Sequence, residues 1–233
     1  MQELFEIPEE YEAMLKKGIG LTGNDKHFFI RGRLDLLENK TSLKNAPKRI
    51  LDFGCGTGAT SEILLQRFPT SEIVGSDLSD AALNFAKEKI QNQNIRFTTL
   101  DKLQEEAEFD LIYLNCVIHH VPVAQRQAVI DQLFSILSAT GTLWIFENNP
   151  ANPGTRWAMY RNPFDKGVVK IWPSELKELL QNAGLKTEAA YFIFYFPQWL
   201  SWFRPLEKFF LKIPMGGQYA LVAQKFIKSP DQA

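Results

Sequence analysis

Cysteine, charge imbalance and long apolar runs are all scarce in this sequence of 233 residues. Its two cysteines cannot build a disulfide framework, so a reducing compartment is expected. With 26 basic and 27 acidic residues, the net charge of −1 offers no electrostatic footprint for nucleic acid. No apolar run reaches the roughly 20 residues of a membrane-spanning helix. The acidic start MQELFEIPEE is unlike a signal peptide, and a cytoplasmic protein is expected.

The composition is that of a folded globular chain. Hydrophobic residues make up 45% and charged residues 23%, which excludes a disordered or collagen-like protein. The length is that of one domain of about 150 residues with additions. We expect an N-terminal helical cap over 1–45, with helices at 9–17 and 24–38, followed by one domain over 46–233.

From Arg49 onward, short apolar runs alternate with helical patterns. Such alternation predicts parallel strands joined by right-handed helical crossovers. No long crossover helix separates the last two strands, so the final strand is expected to be antiparallel. The predicted strands are 49–53, 71–76, 95–98, 109–115, 141–146, 185–196 and 218–226. The predicted helices are 59–68, 80–91, 123–137 and 173–183, and residues 147–172, rich in Asn, Pro and Gly, are predicted to be an irregular excursion.

A glycine-rich loop follows the first strand of this alternating region, in the run LDFGCGTG over 51–58. Glycines at a strand-to-helix turn allow a ligand to approach the backbone closely. Asp77, at the end of the second strand, is placed to accept both hydroxyl groups of a ribose. The spacing also fits a loose dinucleotide motif. Asp52 argues against that alternative, because its carboxylate would repel a pyrophosphate and suits a positively charged ligand.

Five linked segments resemble the class I S-adenosylmethionine-dependent methyltransferases. The resemblance implies an α/β fold: a Rossmann-like sheet of seven strands with an antiparallel last strand, helices on both faces and an N-terminal helical cap. It also implies S-adenosylmethionine as the cofactor. The matching segments are LDFGCGTG (51–58), VGSDLS (74–79), TTLD (98–101), FDLIYLNCVIHHV (109–121) and LSATGTLWIFE (137–147).

The resemblance implies roles at the methionine end of the cofactor. Asp52 and the backbone of Gly54, Cys55 and Gly56 would line the methionine part. Arg33, on the second predicted helix, is placed by charge and position to pair with the cofactor carboxylate. If these residues do not bind the cofactor, each has a simpler structural role. Asp52 would then cap the loop, Arg33 would be a solvated helix residue and Cys55 would be a small packed side chain.

The resemblance assigns the adenosine end to the second and third strands. Asp77 would hold the ribose hydroxyls and Leu78 would pack on the adenine. Asp101 would bond the adenine amino group, and Lys102 would offer its backbone. If they do not bind adenosine, Asp77 would cap the next helix and Asp101 would be an ordinary turn residue. Ser79 is better suited than Asp77 to cap that helix. The sulfonium would lie above the end of the fourth strand, formed by Asn115 and Cys116.

Two adjacent histidines, His119 and His120, follow the fourth strand. With Glu147 they suggest a metal site, but adjacent side chains usually point apart and the remaining histidine, His27, is distant in sequence. No metal site is therefore predicted. His120 is predicted to be a general base, since it lies before Val121-Pro122, where related O-methyltransferases of quinone pathways also carry a histidine.

The acceptor side is expected to be covered by residues 147–172, as a lid, and by the aromatic segment 191–213. The Asn-Pro-Pro-Tyr signature of enzymes that methylate amino groups of nucleic acids is absent. Arg204, Lys208 and Lys212 recur every four residues, which predicts a basic helical stripe over 199–213 suited to a membrane surface.

The predicted function is methyl transfer from S-adenosylmethionine, by direct displacement, to oxygen on a small-molecule, lipid or glycan acceptor. Nucleic acid is not expected as a partner. One alternative is a nucleotide-dependent oxidoreductase, against which the chain lacks the Tyr-x-x-x-Lys pair of short-chain dehydrogenases. The other is a protein that binds the cofactor without turnover. The sequence predicts no oligomeric state.

Overall fold

The computed structural model describes residues 23–40 and 46–226, and the predicted helix 9–17 lies outside them. The helices are α1 (Lys26–Lys40), α2 (Ala59–Arg67), α3 (Asp80–Lys89), α4 (Arg126–Ile136), α5 (Pro153–Arg161) and α6 (Pro173–Asn182). The strands are β1 (Arg49–Phe53), β2 (Glu72–Asp77), β3 (Ile95–Thr99), β4 (Phe109–Asn115), β5 (Leu137–Asn148), β6 (Leu185–Thr187), β7 (Tyr191–Ile193) and β8 (Gln218–Lys225). Short 3-10 segments span Leu100–Glu105, Ile118–His120, Val123–Gln125, Pro163–Asp165 and Gln198–Phe209.

One sheet organises the described residues, with strand order β3-β2-β1-β4-β5-β8-β6 and β7 also paired to β8. Strands β1 to β5 are parallel, and β8 runs antiparallel to β5. The parallel sheet with an antiparallel last strand is therefore confirmed. Since the carboxyl ends of parallel strands share one edge, the loops after β1, β2 and β4 lie together.

The predicted strand 185–196 is wrong in its extent. It is split into β6 and β7, which pair with different parts of β8, so the sheet has eight strands instead of seven. Phe194 ends β7 because its backbone turns to the left-handed region, with φ of 64°. Both short strands lie on the same edge of β8, and the order of the sheet is otherwise as expected.

Apolar residues cover both faces of the sheet. In β1, Ile50 packs on one face and Leu51 on the other, and both are fully buried. Helices α1, α2 and α3 cover the first face, while α4 and α6 cover the second. Full burial of such a side chain stabilises the fold by about 1.5–3 kcal/mol. This two-sided burial explains the almost continuous apolar run of the central strands.

Helix α1 belongs to this core. Its Leu34 and Leu37 are fully buried in the same cluster as strand residues of the first face. Asp25 caps this helix, one residue after the predicted start at 24: its Oδ1 accepts the Phe28 amide at 2.8 Å. The predicted boundary at residue 45 lies outside the described residues.

The excursion over 147–172 contains a helix that was not expected, α5. Its N-cap is Asn152, whose Oδ1 accepts the Thr155 amide at 2.9 Å, and Pro153 occupies the first turn. Asn and Pro there act as helix-start signals and not as loop residues.

The predicted basic stripe over 199–213 is also wrong. Gln198–Phe209 is a 3-10 segment with a kink at Leu200, and residues four apart do not share a face when three residues make a turn. Arg204 is occupied by bonds to the Phe196 carbonyl, Gln198 and Asn24. Among the helices of residues 23–40 and 46–226, none is long and apolar enough to cross a bilayer.

Candidate functional site

The glycine loop between β1 and α2 is a backbone cradle. Gly54, Gly56 and Gly58 all have positive φ, at 76°, 52° and 80°. A Cβ added at Gly54 would collide with the side chain of Val117. The Gly54 amide donates to the Ser76 carbonyl at 2.7 Å, which ties the loop to the end of β2. The loop therefore needs glycine for its conformation and for its packing.

Asp77 ends β2 directly beside this loop. Its Oδ2 accepts the Gly56 amide at 2.8 Å, and its Oδ1 accepts the Ser79 amide at 2.9 Å. Each carboxylate oxygen keeps a further lone pair for a ligand hydroxyl. The neighbouring Leu78 is 85% exposed, an open apolar surface next to the carboxylate. Ser79 is the N-cap of α3, as predicted, with its side chain accepting from Ala82.

Asp52 lies beneath the loop. Its side chain accepts the Ser61 hydroxyl at 2.7 Å, and the residue is only 2% exposed. Burial raises the pKa of Asp52 to about 7, and the Asp77 charge adds to the rise, while the Ser61 bond and the Arg33 charge oppose it. Asp52 is thus bonded to helix α2, which follows the loop, and its contact with the methionine part stays a prediction.

Arg33 is a buried residue of α1 and not a solvated one, at 5% exposure. Its Nε donates to the Tyr113 hydroxyl at 2.8 Å, and its Nη1 donates to Gln218 Oε1 at 3.0 Å. Gln218 Nε2 in turn donates to Cys116 Sγ at 3.2 Å. Arg33 is therefore linked to the end of β4, although its predicted partner is a cofactor carboxylate.

The end of β4 carries two signs of a binding site. Asn115 Oδ1 is buried and has no hydrogen-bond partner within the part of the chain that the structure describes. Cys116 has a left-handed backbone, with φ of 56°, a conformation that is costly for a residue with a side chain. Burial raises the pKa of the Cys116 thiol well above its usual range, and the same holds for Cys55. Neither cysteine is therefore an activated nucleophile.

Asp101 and Lys102 begin the 3-10 turn after β3, and both are exposed. A hydrogen bond from Thr99 lowers the pKa of Asp101, which keeps this carboxylate ionised. The turn lies at the carboxyl edge of the sheet, next to the end of β2. The predicted adenosine residues thus follow neighbouring strands, β2 and β3.

A buried cluster of titratable side chains lies on the other side of β4. His119 Nδ1 is 2.5 Å from Glu147 Oε2, and His119 Nε2 is 3.3 Å from Asp165 Oδ1. His120 Nε2 lies 3.8 Å from the same Asp165 oxygen. The cluster brings together the turn after β4, the end of β5 and the lid.

The two histidines have opposite pKa shifts. Burial alone would lower the pKa of His119, but the charges and hydrogen bonds of Glu147 and Asp165 outweigh it and raise that pKa to about 9. Burial and the neighbouring His119 charge lower the pKa of His120 to about 4, against the opposing charges of Asp165 and Glu147. His120 is therefore neutral near neutral pH, and its imidazole is a weaker base than that of an unperturbed histidine.

The sequence argument that adjacent histidines point apart is wrong here. Ile118–His120 forms a 3-10 turn, and the two imidazole rings lie side by side with centroids 4.2 Å apart. Glu147 was visible in the sequence, because parallel neighbours β4 and β5 bring their ends together. No sequence signal indicated Asp165, which lies 46 residues after His119.

Residues 51–143 match a family model described as a methyltransferase domain. The chain is 36% identical over 99 residues to trans-aconitate 2-methyltransferase of Variovorax paradoxus, covering 42% of this chain and 37% of that protein. It is 29% identical over 130 residues to demethylmenaquinone methyltransferase of Thermus thermophilus, covering 54% of this chain and 58% of that protein.

The fold also matches a solved structure, a TehB-like SAM-dependent methyltransferase from Corynebacterium glutamicum. The TM-score is 0.61 at 20% identity, over 94% of this chain and 98% of that one. The chain spans less than two thirds of the length of the two curated relatives above. Residues 51–143 are thus similar to a methyltransferase domain, and the strand order is that of a Rossmann-like fold shared with S-adenosylmethionine-dependent methyltransferases.

Proposed function

We propose that the protein transfers a methyl group from S-adenosylmethionine to an oxygen of a small-molecule, lipid or glycan acceptor. The observation that carries the proposal is the group formed by the glycine loop, Asp77 and the unpartnered, buried Asn115 Oδ1. These three features lie at the carboxyl ends of β1, β2 and β4, which are adjacent in the sheet. The match of residues 51–143 to a methyltransferase domain supports the same cofactor.

The residues present fit this cofactor in their chemistry. The loop leaves open backbone for a close approach, Asp77 offers two acceptor oxygens in a fixed position, and Leu78 offers an apolar surface. Asn115 Oδ1 needs a donor, and an ammonium group is one. We propose that Arg33 binds the cofactor carboxylate, with Tyr113 and Gln218 holding its guanidinium in place.

When bound, S-adenosylmethionine supplies a methyl group on a positively charged sulfur, which is a good leaving group. The chain then has mainly to align the acceptor with that methyl group. Alignment of this kind supplies about 7–11 kcal/mol of a barrier. Asn115 and Cys116 are held by the β4 strand, and the Gln218 bond fixes Cys116 further, so this side of the site is rigid.

We propose that the acceptor lies under the lid, beside α5. This helix follows β5 and exposes Trp157 and Tyr160, the latter to 89%, with the Arg161 guanidinium over the Trp157 ring at 5.0 Å. Aromatic rings and arginines suit an acceptor with an apolar or sugar surface and an acidic group. The acceptors named for the two relatives, trans-aconitate and demethylmenaquinone, are consistent with that range.

The test uses radiolabelled S-adenosylmethionine with the purified full chain. Candidate acceptors are polycarboxylic acids, demethylated quinones and glycan-bearing lipids, and product is counted after extraction. The proposal expects transfer to a member of one class and none by Asp77→Ala. Cofactor binding with no transfer to any class would favour the non-catalytic alternative.

His120 is our proposed base for the acceptor hydroxyl. It lies in the turn after β4, next to the residues assigned to the sulfonium. A base of this kind adds about 10²–10⁴-fold to the rate. His120→Ala should therefore lower the transfer rate by that factor with cofactor affinity unchanged. An unchanged rate would contradict the assignment.

We also propose that the segment 198–209 contacts a membrane surface through its aromatic residues. Trp199, Trp202 and Phe209 are each at least 70% exposed on this short segment. Tryptophan rings prefer the interface between headgroups and acyl chains. Such contact places a lipid-linked acceptor beside the site.

Vesicle co-sedimentation tests this contact. Binding should be lost in a Trp199→Ala/Trp202→Ala double variant and kept in Trp172→Ala, which removes a half-exposed tryptophan elsewhere. Because the aromatic rings and not a basic stripe carry the contact, neutral vesicles should bind nearly as well as anionic ones. Binding that depends wholly on anionic lipid, or equal loss in Trp172→Ala, would contradict the proposal.

A further inference from the structure

Three ligand-type atoms converge between the turn after β4 and the lid. They are His119 Nε2, His120 Nε2 and Asp165 Oδ1, and they lie within 4.8 Å of one another. The carboxylate oxygen is 3.3 Å from the first nitrogen and 3.8 Å from the second. Ligand atoms of three different side chains are thus close enough together to share one cation.

These separations fit a shared cation. Zinc binds imidazole nitrogen and carboxylate oxygen at about 2.0–2.2 Å, which in a tetrahedral site puts neighbouring ligand atoms about 3.3–3.6 Å apart. The 3.3 Å distance lies within this range, and the 3.8 Å distance is within a small side-chain adjustment of it. Two histidines and one carboxylate leave a coordination position open, as in catalytic metal sites.

Glu147 supplies the outer partner that metal-binding histidines usually have. Its Oε2 lies 2.5 Å from His119 Nδ1, and its Oε1 accepts the Ile118 amide at 2.8 Å. The carboxylate is thus fixed by the backbone and accepts a hydrogen bond from Nδ1–H. A metal that displaces the Nε2 proton then meets the tautomer that it requires.

The charges of the cluster also need compensation. The side chains of Glu147 and Asp165 are 1% and 7% exposed, and within residues 23–40 and 46–226 the two histidines are their ion-pair partners. A protonated His119 balances only one of these two buried charges. A divalent cation in place of its Nε2 proton would balance both.

We infer that His119, His120 and Asp165 bind a divalent transition-metal ion of the zinc type, with Glu147 as the outer partner of His119. The site lies next to Cys116, so on the proposed function the ion faces the acceptor. A hydroxyl group placed at the open position becomes more acidic. That catalytic role rests on the proposed function, whereas metal binding itself does not. With the ion bound, His120 is a ligand and the ion activates the hydroxyl; the base role proposed for His120 applies to the metal-free chain.

The test is a titration of the full chain after chelator treatment and buffer exchange. Zn²⁺ binding is followed by calorimetry, and Co²⁺ binding by its visible absorption. We expect one equivalent bound, with a nitrogen- and oxygen-ligated cobalt spectrum. Glu147→Gln should weaken binding by about 10–100-fold, the usual loss for an outer partner, and Asp165→Asn by at least as much.

His27→Ala is the matched control, since it removes the one histidine outside the cluster, and its affinity should equal that of the original chain. Asp165→Asn is nearly isosteric, and circular dichroism verifies that each variant is folded. Absence of stoichiometric Zn²⁺ and Co²⁺ binding would overturn the inference and leave His119 as a protonated partner of two carboxylates. Binding that is unchanged in Asp165→Asn would overturn it as well.

The same samples separate this inference from the proposed function. S-adenosylhomocysteine binding is measured in parallel on the metal-free chain. A chain that binds the nucleoside but no metal contradicts the metal site alone. A chain that binds the metal but no nucleoside contradicts the proposed function alone.

Discussion

Asp52 should make the stability of the protein depend on pH in a defined direction. Burial raises its pKa from the ordinary 3.8 to about 7. Between these two values the folded state holds a proton that the unfolded state has released. Stability therefore falls as pH rises through this window and is level above it.

The size of the effect follows from the shift. One pKa unit corresponds to about 1.4 kcal/mol, so the full shift corresponds to about 4 kcal/mol, of which roughly 2 kcal/mol is lost between pH 5 and pH 7. Asp52→Asn keeps an oxygen to accept the Ser61 hydroxyl and cannot ionise. The stability of the variant should therefore exceed that of the original chain by about 2 kcal/mol near pH 5 and by about 4 kcal/mol near pH 8.

Urea unfolding followed by tryptophan fluorescence at several pH values measures this difference. Subtracting the original chain from the variant removes the contributions of His119, His120 and the other titrating groups. Asp131→Asn is a matched control, because that carboxylate is exposed. A stability difference for Asp52→Asn that is constant from pH 5 to pH 8 would refute the reasoning.

Three further outcomes are expected. Asp77→Ala should weaken S-adenosylhomocysteine binding by roughly 10–100-fold in calorimetry, because ligand hydroxyls and the Gly56 amide lose a charged acceptor. Gly54→Ala should destabilise the fold by about 2–4 kcal/mol in urea unfolding, because the left-handed backbone is strained by a side chain and the new Cβ collides with Val117. Gly167 also has a left-handed backbone, with φ of 81°, but nothing lies within 4 Å of an added Cβ, so Gly167→Ala should cost only the strain of about 1–2 kcal/mol. Arg126→Met should cost about 3 kcal/mol and raise protease cleavage of the lid, because the carbonyls of residues 121 and 169 lose their donor.

The sequence was most informative where the signal is local. Strands 49–53 and 109–115 were predicted with the bounds observed, because strands buried on both faces are apolar throughout. The glycine loop and Asp77 are separated by about twenty residues within one βαβ unit, so their proximity follows from the fold class. Ser79 was predicted as a helix cap from its type and position alone.

Prediction failed where tertiary contacts decide the backbone. The run 185–196 is apolar enough for one strand, yet β8 pairs with two short pieces of it, and Phe194 turns away. In 198–209, spacing by four suggested an α-helix, and the chain forms a kinked 3-10 segment instead. The His119–Asp165 contact joins elements far apart in sequence, and only the folded lid reveals it.

Ligand-dependent stabilisation tests the central claim most directly. Melting of the full chain is followed with S-adenosylmethionine, S-adenosylhomocysteine or NADPH, each at saturating concentration. A ligand at about 100 times its dissociation constant adds about 2.7 kcal/mol, which raises the melting temperature of a chain of this size by several degrees. Both adenosyl compounds should produce this rise, and in Asp77→Ala at the same ligand concentration the rise should fall to about half or less, as a 10–100-fold weaker affinity requires. A rise with NADPH alone would contradict it and make the glycine loop a dinucleotide site.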